Sequence, residues 1–123
     1  MKPIYTKNAP EAVGPYSQAM VSGGLVYTSG QIGLDPVTGA MAGDTLQLQT
    51  EQVMKNLAAV LAAAGSGMDR VIKTTCFLEN MEDFASFNEI YAAYFPKKPA
   101  RSCVAAKKLP KGALVEVEVV AEV

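Results

Sequence analysis

The C-terminal stretch, residues 113–123, alternates between two kinds of side chain, and this alternation constrains the fold more than any other feature of the chain. In an extended strand, Val115, Val117 and Val119 project to one side. The residues between and beside them project to the other side: Leu114, Glu116, Glu118, Val120 and Glu122. Such a strand needs a sheet that buries its valine side, so the chain must build a sheet with two different faces.

Other segments predict the rest of this sheet. β-Branched residues over Arg70–Leu78 predict a strand, and residues 17–29 predict a hairpin because Gly23-Gly24 supplies the positive φ angles of a tight turn. In chain order, the predicted strands are Ser17–Val21, Leu25–Ser29, Arg70–Leu78, Ala100–Ala106 and Ala113–Val123. Turn dipeptides between Gly30 and Gly43 predict an exposed loop.

Two segments repeat apolar side chains every three or four residues and so predict helices. We expect Asp44 to cap the first helix, with Gln47 completing a capping box, and Gly65 to end it. The second helix cannot pass Pro96 and carries an aromatic stripe. The stripe comprises Phe84, Phe87, Ile90, Tyr91, Tyr94 and Phe95. The predicted class is therefore α+β, a single domain over residues 1–123 with a mixed sheet and both helices on one face.

Composition excludes several classes of function. The chain contains no histidine, which removes the most common general base and metal ligand, and Cys76 and Cys103 lack the spacing of a zinc site. A net charge of -1 and a pI near 5.4 argue against a nucleic acid partner. The start, Met1–Tyr5, shows no leader pattern, and the longest apolar run, Leu57–Ala64, is too short to cross a membrane. We expect a cytoplasmic protein.

Arg101 is the clearest candidate for binding an anion. It lies on a predicted strand among Ala, Ser and Val residues, and Cys103 projects to the same side. A guanidinium can hold a carboxylate through two parallel hydrogen bonds, which suits a small 2-oxo or 2-imino acid. A structural ion pair with a neighbouring glutamate is the alternative, and the sequence leaves both open.

The glutamates of the last strand allow two interpretations as well. Glu116 and Glu118 are either solvated, or one of them lines a pocket where burial raises its pKa and lets it act as a general base on water. The lysines near Arg101 either attract small anions or keep a sheet edge solvated: Lys97, Lys98, Lys107, Lys108 and Lys111. At Ser29-Gly30 a strand end lets backbone approach a ligand, and Asn88 places an amide beside the aromatic stripe.

Short motifs along nearly the whole chain carry a family resemblance. They are Asn8-Ala9-Pro10, Gly14-Pro15-Tyr16-Ser17-Gln18, Ser29-Gly30-Gln31-Ile32, Val71-Ile72-Lys73-Thr74-Thr75, Phe84-Ala85-Ser86-Phe87-Asn88, Pro99-Ala100-Arg101-Ser102-Cys103-Val104, Leu109-Pro110-Lys111 and Val115-Glu116-Val117. In order and spacing they resemble the Rid family, also called YjgF/YabJ or L-PSP, the reactive intermediate deaminases. Arg101-Ser102-Cys103 followed by Glu116 is similar to the archetypal RidA-like branch.

This resemblance implies a chorismate-mutase-like fold that assembles as a homotrimer around a β-barrel core, with active sites between subunits and with no cofactor or metal. The implied reaction is hydrolysis of 2-iminobutanoate and 2-iminopropanoate to 2-oxo acids and ammonia. By the resemblance, Arg101 would bind the substrate carboxylate and Glu116 would activate water. The other implied site residues are Cys103 and the Ser29-Gly30 backbone at the reacting carbon, with Tyr16 and Asn88 in the pocket wall.

A second function stays open, a non-catalytic trimer that binds 2-oxo acids and regulates purine or isoleucine metabolism or translation. RNA cleavage, known for some relatives, is disfavoured because the chain is acidic and lacks histidine. Chorismate mutase shares only the fold. Two departures affect the expected pocket, Ala105-Ala106 where relatives often carry an acid and the short Pro96-Lys97-Lys98 link.

Overall fold

Six strands and two helices make up the fold in the computed structural model, which describes every residue from 1 to 123. In chain order they are β1 (Lys2–Ile4), β2 (Ala19–Ser22), β3 (Leu25–Thr28), α1 (Leu46–Ala63), β4 (Val71–Leu78), α2 (Phe84–Tyr94), β5 (Ala100–Ala105) and β6 (Val115–Glu122). Short 3₁₀ turns cover Met68–Arg70, Met81–Asp83 and Pro110–Gly112. The predicted α+β class is confirmed, with mixed pairing in one sheet.

The strands form one sheet in the order β1-β2-β3-β6-β4-β5. β6 therefore lies near the centre, antiparallel to both β3 and β4. β5 pairs with β4 in parallel, which α2 makes possible by crossing between their ends. In this register Arg101 lies beside Thr74, and Glu116 lies beside Phe77.

Both helices pack on the same face of the sheet, as the sequence predicts. Val115, Val117 and Val119 are buried beneath them, and the large side chains of α1 and α2 complete one core. The other face has no helix on it in the single chain, and Tyr27 and Val104 are exposed there. Neither helix combines the length and the apolar character that crossing a bilayer requires.

Two details differ from the sequence-based expectation. The edge strand β1 was missed because its three residues are too few to show a period; it pairs with β2, Ile4 opposite Ala19. The prediction of Asp44 as the helix cap, with Gln47 completing a capping box, was wrong, because α1 begins at Leu46 and the preceding residue, Thr45, accepts a hydrogen bond from Leu48 N at 3.2 Å.

Truncating a leucine of α1 to alanine should lower the free energy of unfolding by different amounts on the buried and the exposed face of the helix. Leu61 is fully buried and Leu48 is 53% exposed. We expect Leu61→Ala to lower the free energy of unfolding by about 2–5 kcal/mol, because it leaves a cavity, and Leu48→Ala to change it by about 0.5 kcal/mol or less. Urea denaturation of both variants checks this. Equal costs would contradict the packing described.

Candidate active site

Glu116 lines an open cavity of about 510 Å³ on the face of the sheet opposite the helices. The other walls come from the segment between β1 and β2, from the end of β3 with the residues after it, and from the turn before β6. These segments place Tyr16, Ser29, Gly30 and Lys111 around the same space. Four of the residues predicted from the sequence thus meet here: Tyr16, Ser29, Gly30 and Glu116.

Gly30 allows the Glu116 side chain to lie against the backbone. A Cβ atom at residue 30 would lie only 2.8 Å from the Glu116 carboxyl carbon and closer still to Oε2, so an alanine cannot share this space with the carboxylate. The pairing of Gln31 with Val117 fixes this approach, because Gln31 N donates to Val117 O at 2.9 Å and Val117 N donates to Gln31 O at 3.1 Å.

Burial raises the pKa of Glu116, and the nearby Glu118 carboxylate raises it further. Both causes disfavour the charged form, since burial removes water from the carboxylate and a like charge repels it. In its ionised form, a carboxylate with a raised pKa is a stronger base than an exposed glutamate. Of the two interpretations left open by the sequence, the structure favours a pocket carboxylate at Glu116, whereas Glu118 is exposed.

Ser29 contributes through its backbone position rather than a free hydroxyl. Its Oγ donates to Ser17 O at 2.6 Å, and its backbone N donates to Gln18 O at 2.9 Å. These bonds hold the end of β3 beside the segment that carries Tyr16. Tyr16 itself is 54% exposed, so it lies at the rim of the cavity rather than in its depth.

Arg101 occupies a different site, on the helix side of the sheet. Its Nη1 donates to Asn88 Oδ1 at 2.7 Å, and its guanidinium carbon lies 4.7 Å from the Tyr91 ring centroid and 5.3 Å from that of Phe84. Its hydrogen-bond partner is a neutral amide, not the glutamate of the structural ion pair considered above. A cavity of about 350 Å³ adjoins it, with Asn88, Lys98 and Pro99 in its wall.

Cys103 lies on the same strand face as Arg101 and is half-buried. Burial raises the pKa of its thiol, and the Arg101 guanidinium offsets only part of that increase. Its neighbour across the strand pair, Cys76, is fully buried, and burial raises its pKa to about 12. Both thiols therefore stay protonated near neutral pH and are poor nucleophiles.

The two groups of residues do not meet within one chain. Arg101 is beside Thr74 and Glu116 is beside Phe77, and positions 74 and 77 of one strand point to opposite faces. One chain therefore carries two half-sites: Tyr16, Ser29, Gly30 and Glu116 on one face, and Asn88, Arg101 and Cys103 on the other. The chain holds no cluster of three or more Cys, Asp or Glu side chains suited to a metal ion.

Sequence reasoning missed the buried amide of Gln18. This side chain is 2% exposed, lines the Glu116 cavity and bonds to the backbone of the segment before it. In the sequence, Gln18 is a polar residue within the predicted strand Ser17–Val21, and this position alone does not distinguish a buried glutamine from a solvated one.

Comparison with known proteins finds relatives along the whole chain. The family model described as Endoribonuclease L-PSP matches residues 6–123. The chain is 56% identical over 124 residues to "Putative regulator AldR" of Lactococcus lactis, covering 100% of this chain and 98% of that protein. It is 44% identical over 124 residues to the 2-iminobutanoate/2-iminopropanoate deaminase of Salmonella typhimurium, covering 98% of this chain and 96% of that protein. The crystal structure of E. coli TdcF with bound serine matches with a TM-score of 0.94 and 39% identity, covering 100% of this chain and 99% of that chain.

The close approach of Gly30 to Glu116 predicts a specific coupling. Gly30→Ala must displace the carboxylate, which is the end of a flexible side chain, so we expect it to lower the free energy of unfolding by about 0.5–1 kcal/mol. In a Glu116→Ala background the added methyl group meets no carboxylate, and most of that cost should disappear. A double-mutant cycle in urea measures the coupling. Additive effects of the two substitutions would show that the side chains do not compete for this space.

Because the Glu118 charge helps to raise the pKa of Glu116, replacing Glu118 with a neutral residue should lower that pKa. Glu118→Gln removes the like charge, so the pKa of Glu116 should fall while staying above that of an exposed glutamate, because burial remains. A carboxyl ¹³C NMR titration measures it. Glu122→Gln, farther along the same strand, is the control and should leave the value unchanged. If Glu118→Gln leaves the pKa of Glu116 unchanged, repulsion by the Glu118 charge is not a cause of the raised value.

Proposed function

The chain belongs to the endoribonuclease L-PSP family, also called the Rid family, and we propose from its site residues that it hydrolyses reactive 2-imino acids, such as 2-iminobutanoate and 2-iminopropanoate, to 2-oxo acids and ammonia. One observation carries the proposal. The chain presents a guanidinium whose hydrogen-bond partner is neutral and a cavity carboxylate whose pKa is raised. These are the two groups that binding and hydrating an anionic imine require.

Arg101 binds the carboxylate of the substrate in this proposal. Asn88 uses one of the five guanidinium N–H donors and adds no negative charge. The Phe84 and Tyr91 rings lie close to the guanidinium and attract it without neutralising its charge. The remaining donors can form the paired hydrogen bonds that a carboxylate accepts.

Glu116 positions the attacking water and moves its proton. As the water oxygen bonds to C2 of the protonated imine, the Glu116 carboxylate accepts one water proton and a carbinolamine forms. The same proton then passes to the nitrogen, the C–N bond breaks, and the hydroxyl proton leaves with the ammonia as the 2-oxo acid forms. The carboxylate is restored. A protonated imine is already electrophilic, so base catalysis of about 10²–10⁴-fold is an adequate contribution.

The reaction needs the two half-sites together, and we propose that a second copy of the chain supplies the missing half. Arg101 and Glu116 lie on opposite faces of one sheet, so in a ring of copies each interface can join one Arg101 to the Glu116 of a neighbour. The uncovered face, with Tyr27 and Val104 exposed, supports burial in an assembly. A homotrimer around a central barrel of such faces fits this arrangement. The free thiols suit the reducing cytoplasm.

RNA cleavage, which the family description names, is less well supported for this chain. A ribonuclease needs an acid and a base at the phosphate and a surface that attracts it. The chain has no histidine and a net charge of -1. We therefore propose no nucleic acid partner.

A non-catalytic regulator is the second candidate, because the relative at 56% identity carries a regulator's name. Such a protein would bind a 2-oxo acid through Arg101 and would have no need of a base. The two functions differ in what Glu116 does, since only hydrolysis requires proton transfer to this carboxylate.

The proposal predicts separate effects for the two residues. With 2-iminobutanoate generated by a threonine dehydratase and trapped as its semicarbazone, wild-type protein should accelerate loss of the imine. Glu116→Gln should lower kcat by about 10²–10⁴-fold with 2-oxobutanoate binding retained, because it removes the base and keeps the size of the side chain. Arg101→Ala should abolish both turnover and binding.

Glu122→Gln, on the same strand, is the matched control and should react as wild type. If wild-type protein binds 2-oxobutanoate but does not accelerate imine loss, the regulator is the better account. If Glu116→Gln turns over normally, the proposed base is wrong.

A further inference from the structure

Residues 6–16, here called the strap, form one side of the Glu116 cavity. The strap joins β1 to β2 without regular secondary structure, and Pro10, Glu11, Val13 and Tyr16 line the cavity. Much of it faces solvent, and Val13 is 81% exposed. A segment of this kind keeps its place only if its backbone polar groups find partners in the rest of the fold.

A single side chain supplies those partners. Gln18 Oε1 accepts from Thr6 N at 2.7 Å, and Nε2 donates to Thr6 O at 3.0 Å, to Pro10 O at 2.8 Å and, more weakly, to Ala9 O at 3.4 Å. Outside the regular strands, the strap makes one backbone–backbone hydrogen bond, from Tyr16 N to Gly14 O. Both residues belong to the strap, so this bond does not connect it to the rest of the fold.

Gln18 also joins the strap to the residues beside Glu116. Its own carbonyl accepts from Ser29 N at 2.9 Å, directly before Gly30, and its side chain lines the same cavity. The side chain is 2% exposed, so its hydrogen bonds are shielded from competition by water. One residue thus connects the segment that covers the cavity to the backbone against which the carboxylate lies.

We propose that Gln18 is a positioning residue whose side-chain amide holds the strap over the Glu116 cavity, keeping water from the carboxylate and Tyr16 at the rim. The catalytic consequence rests on the proposed function, whereas the position of the strap does not.

Releasing the strap has a defined electrostatic consequence. The titratable groups around Glu116 are Glu118 on its own strand, Glu11 and Tyr16 on the strap, and Lys111 in the turn before β6. Burial is the larger cause of the raised pKa of Glu116, and Glu118 is the smaller. A mobile strap admits water and so reduces the effect of burial, but it leaves the repulsion by Glu118 in place. The pKa of Glu116 should therefore fall part of the way towards that of an exposed glutamate.

The test compares Gln18→Met, which keeps the side-chain length and removes the amide, with Val60→Ala, a core truncation in the last turn of α1 that lowers stability elsewhere. Gln18→Met should lower the pKa of Glu116 in a carboxyl ¹³C titration and speed tryptic cleavage after Lys7 about 10-fold or more. Val60→Ala should do neither. If folded Gln18→Met keeps the wild-type titration and cleavage rate, the proposal is overturned.

The activity profile gives a second readout that loss of stability alone would not move. In Gln18→Met the acidic limb of kcat/KM against pH should shift to lower pH, and kcat/KM at neutral pH should fall by about 10–100-fold, because the reacting groups are less well placed. If the acidic limb of the pH profile of Gln18→Met lies at the same pH as in wild type, Gln18 does not have the proposed role in catalysis. If wild-type protein lacks deaminase activity, the titration and cleavage results still decide whether Gln18 holds the strap.

Wild-type protein provides a check that needs no variant. The Thr6 amide donates to Gln18 Oε1, so it should exchange with solvent deuterium at least about 10²-fold more slowly than an unstructured amide, although it lies in a loop. Fast exchange at Thr6 would overturn the proposal even if Gln18→Met failed to fold.

Discussion

Strand β6 lies between β3 and β4, and the alternation of its side chains couples the core to the candidate site. Val115, Val117 and Val119 face the helices and are buried, so the strand cannot slip by one residue without exposing them. The same constraint fixes Glu116 on the opposite face, against Gly30. The packing of the core thus decides which face of the sheet carries the carboxylate, and the pairing of Gln31 with Val117 holds it against Gly30.

The sheet register also separates the two charged groups that the chemistry needs. α2 carries the chain across the helix face, and β5 returns parallel to β4 with Arg101 beneath Asn88, Phe84 and Tyr91. Arg101 is therefore held by the aromatic stripe of the core, while Glu116 faces the side without helices. A complete site built from these half-sites requires a second copy, which ties the proposed activity to assembly.

Local patterns predicted much of this arrangement, and the remainder depends on contacts distant in sequence. The period-two pattern of β6 and the aromatic spacing of α2 are local, so the strand faces and the helix could be predicted. The position of Arg101 relative to Glu116 could not, because it depends on the order of strands in the sheet and on the register of β5 against β4. Asp44 and Thr45 are both of residue types that cap helices, so the sequence does not show that Thr45 is the one that accepts from Leu48 N.

Buried amides were the feature least visible in the sequence. Gln18 holds the strap, Gln49 bonds to Gly43 O and Leu114 N, and Asn56 bonds to Leu34 O. Each one ties a loop near the Glu116 cavity to the fold, and each looks like an ordinary surface residue until its tertiary partners are known.

The most direct test of the central claim is complementation between two inactive variants, Arg101→Ala and Glu116→Ala, unfolded together and refolded as a mixture. If each site takes Arg101 from one copy and Glu116 from another, mixed assemblies contain intact sites, and an equal mixture should recover about a quarter of the wild-type imine hydrolysis. Refolding either variant alone should recover none. A mixture that forms mixed assemblies yet stays inactive would contradict a site shared between copies.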